Sequence, residues 1–188
     1  MLYPAALLLF FLVHLIPLNR LWRERFVAQW GERRYRAMFR IVIILIVVMG
    51  VYGWSDFPNV YFYEPPLYLK HLHIALMLPV VYLWVAAEVP NNLKRVVRHP
   101  MLTGMKLWAI GHLLANGDLR SMILFVSFLL FSILAVVISN RRGAWVKPAK
   151  QPLKYDVGVI AASVLLYVLL LHFHGHLFGM PVVQYFSV

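Results

Sequence analysis

The sequence predicts an all-α fold, a polytopic transmembrane bundle of about six helices, on three observations. Of its 188 residues 62% are hydrophobic and the mean hydropathy is +0.75, more apolar sequence than a soluble domain of this size can bury. The apolar residues fall in runs of roughly 16–22, which at about 1.5 Å per helical residue approach or span a hydrocarbon core of about 30 Å. Between the runs lie short basic loops, and three of them hold 15 of the 18 lysines and arginines.

The runs cover residues 2–18, 39–54, 67–87, 100–116, 119–139 and 157–178. The first begins without a basic leader and has no small-residue cleavage site after it, so it reads as a retained span. The polar stretch from Asn19 to Arg40 carries Trp22, Trp30 and seven arginines. It suits either an amphipathic helix at the headgroups or plain topology signals with aromatic anchors. The stretch from Asp56 to Pro66 is aromatic, acidic and proline-rich, an interfacial cap without a catalytic pattern. Asn116-Gly117-Asp118 leaves room only for a tight turn between the fourth and fifth runs. No repeat or linker divides the chain, which reads as a single domain over 1–188.

The net charge of +11 is spread over these loops, so it points to topology signalling and anionic lipid, not to nucleic acid. The positive-inside rule makes the basic loops cytoplasmic; in a bacterium the protein would lie in the inner membrane with both termini periplasmic. No cysteine is present, which excludes disulfides, iron–sulfur clusters and thiolate metal sites. The serines sit in no nucleophile-elbow context and no carboxylate pair is framed for hydrolysis.

The stretch around the fourth run, from Arg98 to Asp118, carries polar groups where lipid-facing leucine would be less costly. As a helix from Pro100, it brings Gly104, Trp108, Gly111, His112 and Ala115 to one face. Two glycines there admit either a neighbouring helix or a flat ligand. Lys106 either snorkels to the boundary or pairs with an anion inside the bundle. His112 either bonds a neighbouring helix or ligates a metal; imidazole is also an axial ligand for haem iron. Counting about 1.5 Å per residue places His112 and His73 at similar depth, with His14 nearer the cytoplasmic edge. His172 and His176 share a helix face at the edge of the last run, without a carboxylate or thiolate to complete a metal site.

Several of these residues carry a family resemblance. Arg98-His99-Pro100, Gly104, Leu107-Trp108-Ala109 and His112 through Asp118 resemble the signature of the NnrU family. So do His14, Arg20, the run Gly31-Glu32-Arg33-Arg34-Tyr35-Arg36, and Phe39. The resemblance covers the chain up to about residue 145. It implies a link to nitrite and nitric oxide metabolism in denitrification. Through the related 15-cis-zeta-carotene isomerase it also implies haem b between two histidines, which fall here on His14 and His112, with His73 the alternative partner from depth. Trp108, Gly104 and Gly111 would shape the haem slot, and Lys106 or Arg98 would neutralise a propionate. The same relative implies cis–trans isomerisation of a polyene, a lipophilic small molecule. It has a cysteine three residues before its second haem histidine, where this chain has Ala109. Arg-His-Pro followed by glycine also resembles the cofactor-binding stretch of isoprenylcysteine carboxyl methyltransferases, without the rest of that apparatus. A cofactor-free helix-packing accessory protein is the remaining alternative.

Overall fold

The computed structural model describes residues 1–179 and 182. Among them are seven α-helices: α1 (Leu2–Leu18), α2 (Arg20–Trp30), α3 (Glu32–Asp56), α4 (Leu67–Glu88), α5 (Pro100–Ala115), α6 (Leu119–Arg141) and α7 (Leu153–Phe178). A 3-10 turn at Leu93–Arg95 precedes α5. The all-helical expectation holds. Four helices, α3, α4, α6 and α7, are long and apolar enough to cross a membrane, and the bent pair α1–α2 makes a fifth if taken as one span. The six apolar runs fall on α1, α3, α4, α5, α6 and α7; α5, with 16 residues, about 24 Å of rise, is the shortest of them. The helix of the second apolar run also starts earlier than hydropathy suggests: helix-forming Glu32, Arg33, Arg34 and Arg36 carry α3 beyond its apolar part.

The exterior is apolar. Ile44, Leu45 and Val51 on α3 and Leu165 and Val168 on α7 are more than half exposed. Water would penalise so large an apolar surface, whereas lipid does not.

Two compact units make up the chain: Met1–Phe62 with Asp118–Ser127, and Tyr63–Gly117 with Phe128–Val188.

In the first unit α1 packs on α3. Gly50 and Gly53 open the α3 surface: a Cβ at Gly53 would stand 2.8 Å from Leu2 Cβ. Tyr3 fills the gap between helices, edge-on to Trp54 at 5.1 Å, and its hydroxyl donates to the Arg120 carbonyl at 2.7 Å.

α2 leaves α1 at 83°. Asn19 makes that corner. Its N–H closes the last turn of α1, and its Oδ1 accepts from Trp22 N as the N-cap of α2. Gly31, at φ +77°, then separates α2 from α3. Glu32 accepts from Arg23 and Arg36, each at 2.7 Å, tying α2 to α3. The Gly-Glu-Arg-Arg-Tyr-Arg run is therefore a corner device. A Cβ at Gly31 meets no atom within 4 Å, so only its backbone conformation demands glycine. Gly31→Ala is expected to lower stability by about 1 kcal/mol in thermal unfolding of the detergent-solubilised protein. Gly158→Ala, in open space on α7, should be neutral or stabilising.

In the second unit α4 is central, packed on both α5 and α7. Val80 and Ala86 on α4, Ala109 on α5, and Ser132 on α6 are wholly buried. Tyr167 on α7 donates to the Ile74 carbonyl of α4 at 2.9 Å.

Candidate functional site

The α4–α5 interface holds most of the residues singled out by sequence. Gly104 and Gly111 are two turns apart on α5 and both face α4. A Cβ on Gly104 would lie 2.7 Å from the Trp84 ring, and one on Gly111 would lie 2.6 Å from Met77 Cε and 3.2 Å from His73 Nδ1. The glycine face that offered a slot for a macrocycle is thus filled by α4 side chains: its small residues let two helices close on each other. Trp108 lies one turn from each glycine. Its ring is 6.2 Å from Trp84, 5.4 Å from Phe128 and 5.0 Å from His112.

His112 is half-buried near the C-terminal end of α5. Its Nδ1 lies 2.9 Å from the Trp108 carbonyl. A carbonyl only accepts, so Nδ1 carries the proton, and in the neutral ring Nε2 carries the lone pair. Asn116 Nδ2 donates to the His112 carbonyl at 2.8 Å, closing the turn that presents the imidazole. Tyr63 reinforces this end by donating to the Leu113 carbonyl and, at 3.2 Å, to that of Asn116.

Depth counting rightly brings His73 beside His112. His73 is buried, and the two rings stand edge to face with centroids 4.4 Å apart. That spacing is too small for both to grip one haem iron. A metal–nitrogen bond of about 2 Å on each side, plus the ring radii, sets coordinating centroids about 6 Å apart. As placed, His73 is a ring neighbour of His112.

His14 belongs to the first unit and is set in the same way. Its Nδ1 donates to the Phe10 carbonyl at 2.7 Å, which again makes Nε2 the lone-pair nitrogen. Phe10 and Phe39 flank the ring at 4.1 and 5.4 Å. Both histidines therefore use the carbonyl four residues back to fix tautomer and direction, as metal-bound imidazoles commonly do. Each imidazole, taken in its own aromatic and apolar surroundings, has the donor chemistry of a haem ligand. Among the described residues no group of three or more His, Cys, Asp or Glu side chains is placed to hold a metal ion.

The remaining residues separate by position. Lys106 is half-buried on α5, six residues before His112 and so about 9 Å away along the axis. Arg98 lies beyond the opposite end of α5. Its guanidinium donates to the carbonyls of Gly143 at 2.8 Å and Ser139 at 3.5 Å, about 18 Å of helix from His112. It belongs with the loop there and not with the imidazole. Asp118, in the first unit, caps α6: its Oδ1 accepts from Ser121 N at 3.1 Å. Asn116, Gly117 and Asp118 form the short connection expected between α5 and α6, but in extended form: Asn116 is extended and Asp118 bridges to Tyr61.

Sequence reading passed over Asn91 and Asn92. Asn91 is buried and donates to the carbonyls of Ala86 at 2.6 Å and Val89 at 2.7 Å. Asn92 bonds Gln151 in both directions and takes the Asp156 carboxylate through its N–H at 2.8 Å. The available signal was Pro90-Asn91-Asn92 itself, a turn former whose side chains compete for backbone groups.

No curated protein and no solved structure matches the chain. One family model does, that described as NnrU protein, and it matches residues 2–182. That match covers nearly the whole chain, and the chain belongs to the NnrU family.

Proposed function

We propose that this membrane protein binds haem b, which His112 and His14 would hold through their imidazoles, and that it serves a redox, sensing or accessory role linked to denitrification. The observation that carries the reading is the shared Nδ1–H bond to the carbonyl four residues back. It fixes the tautomer, so that in the neutral ring Nε2 is the donor. Bound haem would supply one-electron chemistry and affinity for small diatomic molecules such as nitric oxide. The chain's own part is to present the imidazoles, exclude water with Trp108, Phe10 and Phe39, and offer Lys106 to a propionate. The link to nitrogen oxides rests on the family resemblance. The basic loops favour an inner-membrane protein with those loops in the cytoplasm.

Ligand exchange of the isomerase kind finds no thiol here. Ala109, at the position of that cysteine, is fully buried, and the chain has no cysteine.

The test is the visible spectrum of the purified protein after haem reconstitution. His14→Ala should turn a six-coordinate low-spin spectrum into a five-coordinate one, or lose the haem, while His73→Ala keeps the low-spin form. A low-spin spectrum that survives His14→Ala and disappears in His73→Ala would overturn the ligand assignment.

A further inference from the structure

A cavity of about 340 Å3 opens beside the start of α5, within the second unit and at the far end of that helix from His112. This is at the lower end of the size range of small-molecule sites, about 300–1,000 Å3. Its polar wall is made by Lys94, Arg98 and His99, its apolar wall by Ala87, Met101 and Leu102, and Trp145 stands at its edge, 38% exposed.

The polar wall is built by the loop. Asn91 Oδ1 accepts from Lys94 N at 3.3 Å. Arg95 Nε donates to the Pro148 carbonyl at 3.2 Å. His99 Nε2 meets Asn140 Oδ1 at 3.0 Å. Arg98 is held by the carbonyls of Ser139 and Gly143. Carbonyls fix a guanidinium in place but do not neutralise it. The ion pairs among the described residues are Arg20–Glu24, Arg23–Glu32 and Arg36–Glu32, so no carboxylate stands within 4 Å of Lys94 or Arg98. Asp156, the acidic group of this loop cluster, is engaged by Asn92. A carbonyl-held guanidinium and a lysine beside a cavity, with no carboxylate within 4 Å among the described residues, favour an anion with several acceptor oxygens.

We infer that this cavity binds a phosphate-bearing group through Lys94 and Arg98, with His99 and Trp145 at its rim. Two sources offer that chemistry: a free phosphate compound, and the headgroup of an anionic phospholipid whose glycerol and upper acyl chain lie along Ala87, Met101 and Leu102. The cationic wall, apolar wall and half-exposed tryptophan occur together where a protein meets the headgroup layer. The inference is independent of haem, because the cavity shares no residue with His112 or His14.

Lys94→Gln separates the possibilities, since the Lys94 side chain braces no part of the loop; Arg98→Gln is the second variant. The protein is purified in a zwitterionic detergent and its thermal unfolding followed with sodium phosphate at constant ionic strength. It is then followed in nanodiscs of phosphatidylcholine with or without phosphatidylglycerol. The expected result is a rise in unfolding temperature of a few degrees with the phosphate-bearing partner, at least halved in Lys94→Gln with haem content unchanged. A rise with phosphatidylglycerol alone assigns the lipid headgroup. A rise with inorganic phosphate in detergent assigns a free compound. Absence of a rise with either, or an equal rise in wild type and both variants, overturns the proposal.

Discussion

Gly117→Ala is expected to destabilise the protein by about 2–3 kcal/mol, at the upper end for a single added methyl. The chain at Gly117 runs so close to Tyr63 that a Cβ would strike its backbone carbonyl. The obstacle is main chain and not the end of a flexible side chain, so relief requires the whole 61–64 stretch to move. That stretch carries the Tyr63 hydroxyl, which holds the Leu113 and Asn116 carbonyls at the end of α5. The variant should therefore unfold several degrees earlier in a thermal melt and also hold haem more weakly. Tyr63→Phe removes the bonds without the clash and should show a smaller loss, about 1 kcal/mol. Equal melting temperatures for Gly117→Ala and wild type would mean that the close approach at this turn does not contribute to stability.

His112→Gly should abolish haem binding, and millimolar imidazole should restore a low-spin spectrum to the variant. The rescue distinguishes ligation from packing. A free imidazole can occupy the space left by the side chain and donate a lone pair, but it cannot rebuild the Nδ1 bond to the Trp108 carbonyl in a fixed direction. A histidine that merely filled space against His73 and Trp108 would, once removed, leave haem content unaffected and lower only the melting temperature. Gly111→Leu makes a useful companion. It forces apart the α4–α5 contact by overpacking Met77 and His73, and its effect on stability should exceed its effect on the spectrum.

The residues differ in how much their role shows in the sequence. Membrane helices announce themselves by length and apolarity, so α3, α4, α6 and α7 were legible, as was the break between α5 and α6 at Asn116–Asp118, though not its extended form. Depth counting brought His73 to His112 because a straight helix has a fixed rise. The two glycines were ambiguous. A small-residue face admits a helix as readily as a flat ligand, and only the positions of Trp84 and Met77 decide between them. Arg98 was placed with the haem site by its charge, whereas its carbonyl partners at 139 and 143 lie more than forty residues along the chain. Sequence periodicity has no access to pairings of that range. The clamp between Asn92, Gln151 and Asp156 was invisible for the same reason.

The central claim is that His112 Nε2 is an iron ligand. The most direct measurement is the reduced-minus-oxidised absorption spectrum of wild type and His112→Gly, each reconstituted with one equivalent of haem in detergent. The account predicts a sharp low-spin α band in the wild type, its loss in the variant and its return with added imidazole. An unaltered low-spin spectrum in His112→Gly without imidazole, or no haem retained by the wild type, would contradict it.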